Sequence, residues 1–370
     1  MTVTVTKSEI NVRDTLTRLD RPRGVLGNQL AATNTVTEAY TLMNPVMFRN
    51  KINNGDFRVW QRGTSITTTG GQYTADQWGI EPRSSQSVTI SQSTDVPTRE
   101  GFTYSGRFAA TGGSLQGFHL RHGIELPATG SYGEFQPGTT WTLSLWAKSA
   151  YTGVAISPYF FLCGSVLGGS NTSVAVNPGG QTIGQSWSKY TWTITIPPYV
   201  VDNGSLSSAT VFLIRFIVGA GAQDLYITGV QFEKSSQATP YEFRPFSTEL
   251  ALCQRYYYRL WSGGNPSLFA IGASAGSDSS VMWYIQLPVP MRVSPACSSS
   301  GATTLGTWPM GSGGSNILGS SFYSLGGTSA YPYQHIEVML TLASSPGTQV
   351  SRVGFRANAG VGYIDASAEL

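Results

Sequence analysis

Three hundred and seventy residues suffice for two or three domains, each burying a core of its own. Charged residues make up only 12% of the chain, aromatic residues another 12%, and there are 43 glycines, a composition that describes a turn-rich β protein with few surface charges. The net charge of +3 lies within residues 1–51, where seven basic side chains face four acidic ones; the remaining charges cancel, which leaves no basic face for a phosphate backbone and excludes nucleic acid as the expected partner.

No apolar run approaches the roughly 18 residues of a membrane span, so membrane insertion is not expected. MTVTVTKSEINVR lacks the cationic start and apolar stretch of a secretory signal, so the expectation is a soluble chain not exported by its own leader. Cys163, Cys253 and Cys297 are too few and too scattered for a disulfide framework or a zinc site and read as small apolar side chains.

Residues 1–50 read as a helical attachment segment. Asn11 with Asp14 resembles a helix start, Val12, Leu16 and Leu19 share a face, and Pro22 and Gly24 end it. Leu26, Leu30, Val36, Tyr40, Met43 and Met47 follow in a second apolar rhythm, which Gln29 and Thr33 interrupt. So short a seam does not hold a helix alone in water. A loose tail and a docking anchor are both open readings, and the number of spaced apolar residues favours the anchor.

Residues 51–245 open with INNGDFRVWQRG and continue in short runs bounded by Gly, Pro, Asn or Ser: SVTISQST, TWTLSLWAKS, VAISPYFFLCG, KYTWTITIP, ATVFLIRFIVG and LYITGVQFEK. Their length and spacing predict an antiparallel sandwich. In TWTLSLWAK, Trp141, Leu143, Leu145 and Ala147 point one way and Thr142, Ser144, Trp146 and Lys148 the other, and the tryptophans of this region read mostly as core.

Residues 246–370 start with a change of pattern. Ser247 can cap a short helix from Thr248 and Glu249, and Tyr256-Tyr257-Tyr258 then suits a strand, with Tyr256 and Tyr258 on one face and Tyr257 on the other. Pro245 blocks a continuous ladder from the preceding strand, so this stretch is a helical connector between two β domains. SLFAIGASA, SVMWYIQLPVPM, HIEVMLTLA, SRVGFRA and GYIDASAEL supply the strands of a C-terminal β-sandwich.

NNGDFRVWQRGTS, YTADQW, ITGVQFEKSSQATPYEFRP and ELALCQRYYYR, in that order and spacing, resemble the tail-fibre and related virion structural proteins of tailed bacteriophages. The resemblance covers about residues 52–259 and continues more loosely into LPVPMRVSP and GYIDASAEL. It implies a jelly roll like a carbohydrate-binding module, then a β-sandwich tip, commonly in a homotrimer located on the virion tail and assembled in the host cytoplasm. It further implies that residues 1–50 hold other virion proteins, tail or adaptor, and that the β domains contact host-surface polysaccharide or lipopolysaccharide. A purely architectural virion protein, such as a head fibre or baseplate component, is the alternative. Many sugar-binding jelly rolls hold a structural calcium with a Glu after the opening Gly-x-Phe and an Asp near the closing strand. Here Arg58 and Tyr226-Ile-Thr-Gly-Val230 stand in those places, so no metal and no other cofactor is expected.

Signals for catalysis are weak. His119 and His122 are three apart without acidic or cysteine companions and read as strand-edge or loop residues. No nucleophile elbow and no fixed-period repeat is present. Asp56 with Asp76, or Glu125 with Glu134, are the carboxylate pairs that a glycosidase would need, but sequence does not place either pair together. The expectation is a protein without enzymatic activity. For glycan contact, TTLGTWPMGSGGSN places Trp308 in a Gly/Ser-rich loop, and SFYSLGGTSAYPYQH places Tyr323, Tyr331 and Tyr333 in and beside another. Each is either exposed for recognition or packed against a neighbouring subunit.

Overall fold

Trp141, Leu143, Leu145 and Ala147 do occupy one side of a strand, and all four are fully buried. That alternation repeats along the chain and builds the fold. The computed structural model describes residues 48–370 except 84–85, 112–116, 168–175, 199–209, 220–223, 262–266, 275–279, 301–304, 310–316, 324–332, 343–352 and 358–362. Residues 1–49 and 50–370 are separate compact units. The anchor positions Leu16, Leu19, Leu26, Leu30, Val36, Tyr40 and Met43 lie outside the described residues.

The second unit is mostly β. Its first strands are β1 (Ser65–Thr68), β2 (Gln72–Tyr73), β3 (Trp78–Pro82), β4 (Ser87–Ser93), β5 (Ser105–Thr111) and β6 (Phe118–Glu125). There follow β7 (Thr140–Ser149), β8 (Ala155–Cys163), β9 (Gln181–Thr182), β10 (Ser188–Thr195), β11 (Val211–Val218) and β12 (Leu225–Glu233). They form two six-stranded antiparallel sheets, β1-β4-β5-β12-β7-β10 and β2-β3-β6-β11-β8-β9, a jelly-roll sandwich. Between the sheets, Phe232 of the first lies 5.3 Å from Phe160 and 5.7 Å from Phe212 of the second. Each such buried side chain contributes roughly 1.5–3 kcal/mol.

β5 and β6 escape a reading by alternation because Gly106 and His122 stand at inward positions where the pattern expects apolar side chains. The histidines are a correction: β6 is an interior strand, neither an edge nor a loop. The odd spacing sends them to opposite faces. His122 turns into the core, fully buried, with Nε2 3.0 Å from the Asn53 carbonyl oxygen and its ring edge-on to Trp78.

The sequence motifs converge on one buried knot. Asn54 and Phe57 take left-handed φ values of 53° and 54°, which fold INNGDF back on itself. The Asn54 side chain accepts from Val59 N at 2.9 Å and donates to the Asp76 carbonyl at 3.0 Å, while Trp78 Nε1 donates to the Asn54 carbonyl at 2.9 Å. Any Cβ on Gly55 would collide with the Val230 carbonyl oxygen, so ITGV of β12 requires glycine there. Asn54 N donates to Glu249, which also faces Arg244 at 3.4 Å, and Arg244 reaches the Ile52 carbonyl at 3.2 Å.

Helix α1 (Phe246–Gln254) is the connector read from the sequence. Its start differs: the helix begins one residue before Ser247, directly after Pro245, with no side-chain cap, and Glu249 N bonds the Pro245 carbonyl. Glu249 is drawn instead into the knot. The tyrosines differ as well. Tyr256 and Tyr257 are both buried because Tyr256 precedes the strand, with its hydroxyl on Glu125 at 3.0 Å, so strand alternation does not apply to it. Strand β13 (Tyr257–Trp261) is followed by β14 (Ser267–Ser274), β15 (Ser280–Met291), β16 (Ala296–Ser300), β17 (Leu305–Pro309) and β18 (Ile317–Tyr323). β19 (Tyr333–Leu342), β20 (Val353–Ala357) and β21 (Tyr363–Ser367) complete the order. They form a three-stranded sheet, β13-β21-β16, and a six-stranded one, β17-β20-β14-β15-β19-β18. No helix among the described residues is long and apolar enough to cross a membrane.

The end of β21 is held against the jelly roll. Arg62 pairs with Glu369 at 2.6 Å and faces Asp76 at 3.7 Å, with its guanidinium 3.4 Å from the Tyr257 ring centroid. Burial pushes Glu369 up to about 8, although Arg62 opposes the shift, and burial raises Asp56 and Asp76 to about 6. A carboxyl whose folded pKa exceeds its unfolded value holds its proton more tightly in the fold, so its stabilising effect is lost as pH rises from the unfolded value through the folded one. For Glu369 that window runs from 4.5 to about 8. The unfolding temperature is expected to fall across it and Glu369→Gln to flatten its upper part; calorimetry in which stability rises over that range contradicts this.

Candidate functional site

Strand alternation that buries Leu225 and Ile227 turns Tyr226 and Thr228 to the outer face of the first sheet. Tyr226 lies opposite Arg107 of β5 and Lys148 of β7. Trp187, just before β10, comes beside Lys148 because Ser188 pairs with Ala147. The Trp187 and Tyr226 rings meet edge to face at 6.4 Å, and Lys148 Nζ lies 5.6 Å and 5.0 Å from their centroids. Asp95, from the connection after β4, bonds Lys148 and accepts from Trp187 Nε1 at 3.1 Å. Burial works against its charge, but these hydrogen bonds outweigh it and hold its carboxyl below the usual range.

One row further along, Trp146 is half-buried opposite Thr228 and Lys189. Then β12 bulges at Gly229, whose left-handed φ of 61° and absent Cβ let Phe102 pack directly on the backbone. Phe102, Tyr241 and Phe243 form a cluster with centroids 4.9–5.2 Å apart, and Phe243 remains 48% exposed. The result is a set of partly open aromatic rings, Trp187, Tyr226, Trp146, Tyr241 and Phe243, with the buried Phe102 beneath the last two, among fixed donors and acceptors. Such an arrangement can hold a sugar by its C–H face and orient its hydroxyls.

The outer face of the second sheet is polar but more closed. Arg121 and Arg215 sit opposite each other and are buried, with Arg215 against the Tyr159 and Phe161 rings. Burial first, then the charges of Arg215 and Arg121, lowers His119 to about 4.

Of the residues singled out from the sequence, Trp308 lies within β17 and not in a loop, opposite Gly354. Tyr323 ends β18 opposite Glu337, Tyr333 begins β19 opposite Met291, and Tyr331 lies outside the described residues. The edge strands β17 and β18 approach each other, so the six-stranded sheet curls. Asp56 and Asp76 are buried in the knot, Asp56 against Arg58 and Asp76 accepting from Gln61 N at 2.7 Å. Glu125 and Glu134 do line one cavity, each bound to a cation. No group of three or more potential metal ligands occurs among the described residues. Trp187 and Tyr226 were not legible as site residues, although Tyr226 had a signal: an aromatic at the outward position of the otherwise apolar alternation LYITGV.

No protein-family model matches the chain, and no curated protein matches it. Solved structures similar to it include the enzymatically active domain of bacteriophage CBA120 tailspike protein 4, at 18% identity and a TM-score of 0.33 over 50% of this chain and 21% of that one. A family 4 carbohydrate-binding module is similar at 16% identity and a TM-score of 0.26, over 50% of this chain and 99% of its own. The C-terminal family 22 carbohydrate-binding module of Clostridium thermocellum Xyn10B is similar at 14% identity and a TM-score of 0.31, over 46% and 98%.

Proposed function

We propose that this protein is a non-enzymatic bacteriophage tail fibre that holds host-surface glycans against the outer face of its first jelly-roll sheet. The observation that carries the reading is the Trp187–Tyr226–Lys148 group, with Trp146 beside it, on a face otherwise built of fixed polar side chains. Residues 1–50 attach the fibre to other virion proteins, and three copies assemble on the tail. Few surface charges and many aromatic side chains suit subunits partly covered by their own copies. Residues 246–370 add a second contact through Trp308, Tyr323, Tyr331 and Tyr333.

The full chain is expected to bind polysaccharide or lipopolysaccharide of its host on a glycan array and, added free, to block adsorption of the phage. Replacing Trp308 and Tyr333 together by Ala should reduce that blocking without changing the assembled mass; undiminished blocking removes the tip from the site. A purely architectural role is favoured by one observation, that Lys148 already lies against both rings and Asp95 already takes the Trp187 N–H. Absence of both glycan binding and adsorption blocking selects it.

A further inference from the structure

We propose a second ligand site, for a single neutral pyranose residue, in the cavity beside the connection from β6 to β7. The cavity of about 470 Å³ is lined by Glu125, Leu126, Pro127, Glu134, Phe135 and Arg255, a size within the roughly 300–1,000 Å³ of small-molecule sites. It belongs to an end of the second sheet, whereas the aromatic face belongs to the first, and it does not depend on the reading given for that face.

One wall is a preassembled polar group. Arg255, the residue after α1, grips Glu125 in a two-point fork, Nε to Oε2 at 3.1 Å and Nη2 to Oε1 at 3.0 Å. Tyr256 donates to the same Oε2 at 3.0 Å. A carboxylate has about four acceptor positions, so three are filled and about one stays available for a ligand hydroxyl. Arg255 turns Nε and Nη2 to Glu125 and is still 41% exposed on its side chain, so part of the guanidinium fork faces the cavity. A donor and an acceptor fixed side by side match two neighbouring hydroxyls, one accepting and the other donating.

Further polar and apolar contacts complete the pocket. Gly133, at φ +55°, bends the connection where an added Cβ would meet Pro127 Cδ at 2.7 Å, and so sets Glu134 at the rim. Glu134 gives Oε1 to Lys51 at 2.9 Å and is 47% exposed. Pro127 supplies exposed apolar surface for the C–H face of a ring, with the buried Leu126 and Phe135 packed behind it and Phe135 locked by stacking on Phe212 at 4.0 Å. Two carboxylates, one guanidinium and one ammonium sum to zero charge, which selects neither an anion nor a cation. The three hydrogen bonds on Glu125 also leave it few lone pairs for a metal ion. A neutral polyol ring is what remains.

The test uses the full chain and a panel of methyl glycosides of glucose, galactose, mannose and N-acetylglucosamine, titrated by calorimetry and ligand-observed NMR to about 50 mM, the range of weak single-sugar binding. At least one is expected to bind. Glu134→Gln and Arg255→Lys, which change a rim acid and the fork while leaving the core intact, should each weaken it about tenfold or more. Trp187→Ala should leave it unchanged, which separates this site from the aromatic face. No binding by any of the four, equal binding in both pocket variants, or loss in Trp187→Ala overturns the proposal.

Discussion

Arg62→Ala is expected to lower the unfolding free energy by about 3–5 kcal/mol, a large part of a typical domain's total. The guanidinium is the common partner of the buried Asp76 and of Glu369, whose side chain is only 8% exposed, and it stacks on Tyr257. Its loss leaves the buried Asp76 carboxylate without its cation, so that it must protonate or be exposed, and takes from the Glu369 carboxyl its hydrogen-bond donor. It also removes one of the contacts that fasten the end of the chain described here to the jelly roll, alongside Tyr73 Oη on the Leu370 carbonyl at 2.6 Å. Urea denaturation measures the effect, and a cost below about 1 kcal/mol would show that the cluster relaxes freely. Glu369→Gln in the same chain should recover part of the loss, because a neutral amide needs no counter-charge.

Removing both rings of the aromatic face, Trp187→Ala with Tyr226→Ala, is expected to reduce glycan affinity by about tenfold or more, since stacked aromatics are the usual anchors of such contacts. Stability should fall by only about 1 kcal/mol, because both rings are half-open and rest on Lys148 rather than in the core. Array binding and thermal unfolding of the same variant separate the two effects. Binding unchanged beside a large loss of stability would make the rings structural.

Much of the fold was legible in single runs. Local alternation announced β4, β7, β8, β10, β11 and β12, and with them the sandwich, because a strand half buried in a core must repeat every two residues. The helical connector was legible for a similar reason, although its first residue was not, since Pro245 and the pull of the knot on Glu249 set the start. β5 and β6 were hidden because Gly106 and His122 occupy inward positions that alternation expects to be apolar. Glycine and serine around Trp308 favour a loop locally, and long-range pairing with β20 overrides that preference.

The motifs that carry the phage resemblance explain the division. NNGDF, YTADQW, ITGV and the region from Arg244 to Glu249 are far apart in sequence yet bond one another in a single buried knot, so their chemistry serves folding. By itself the sequence determined the strand-rich class, six strands of the first sandwich and the short helix after Pro245, all properties of neighbouring residues. Only the tertiary structure decided which outward side chains stand in one row, such as Arg107, Tyr226, Lys148 and Trp187, and that Glu125 meets Arg255 in one cavity. A site is a matter of register between distant strands, and register is fixed by the whole packed core, not by any one segment.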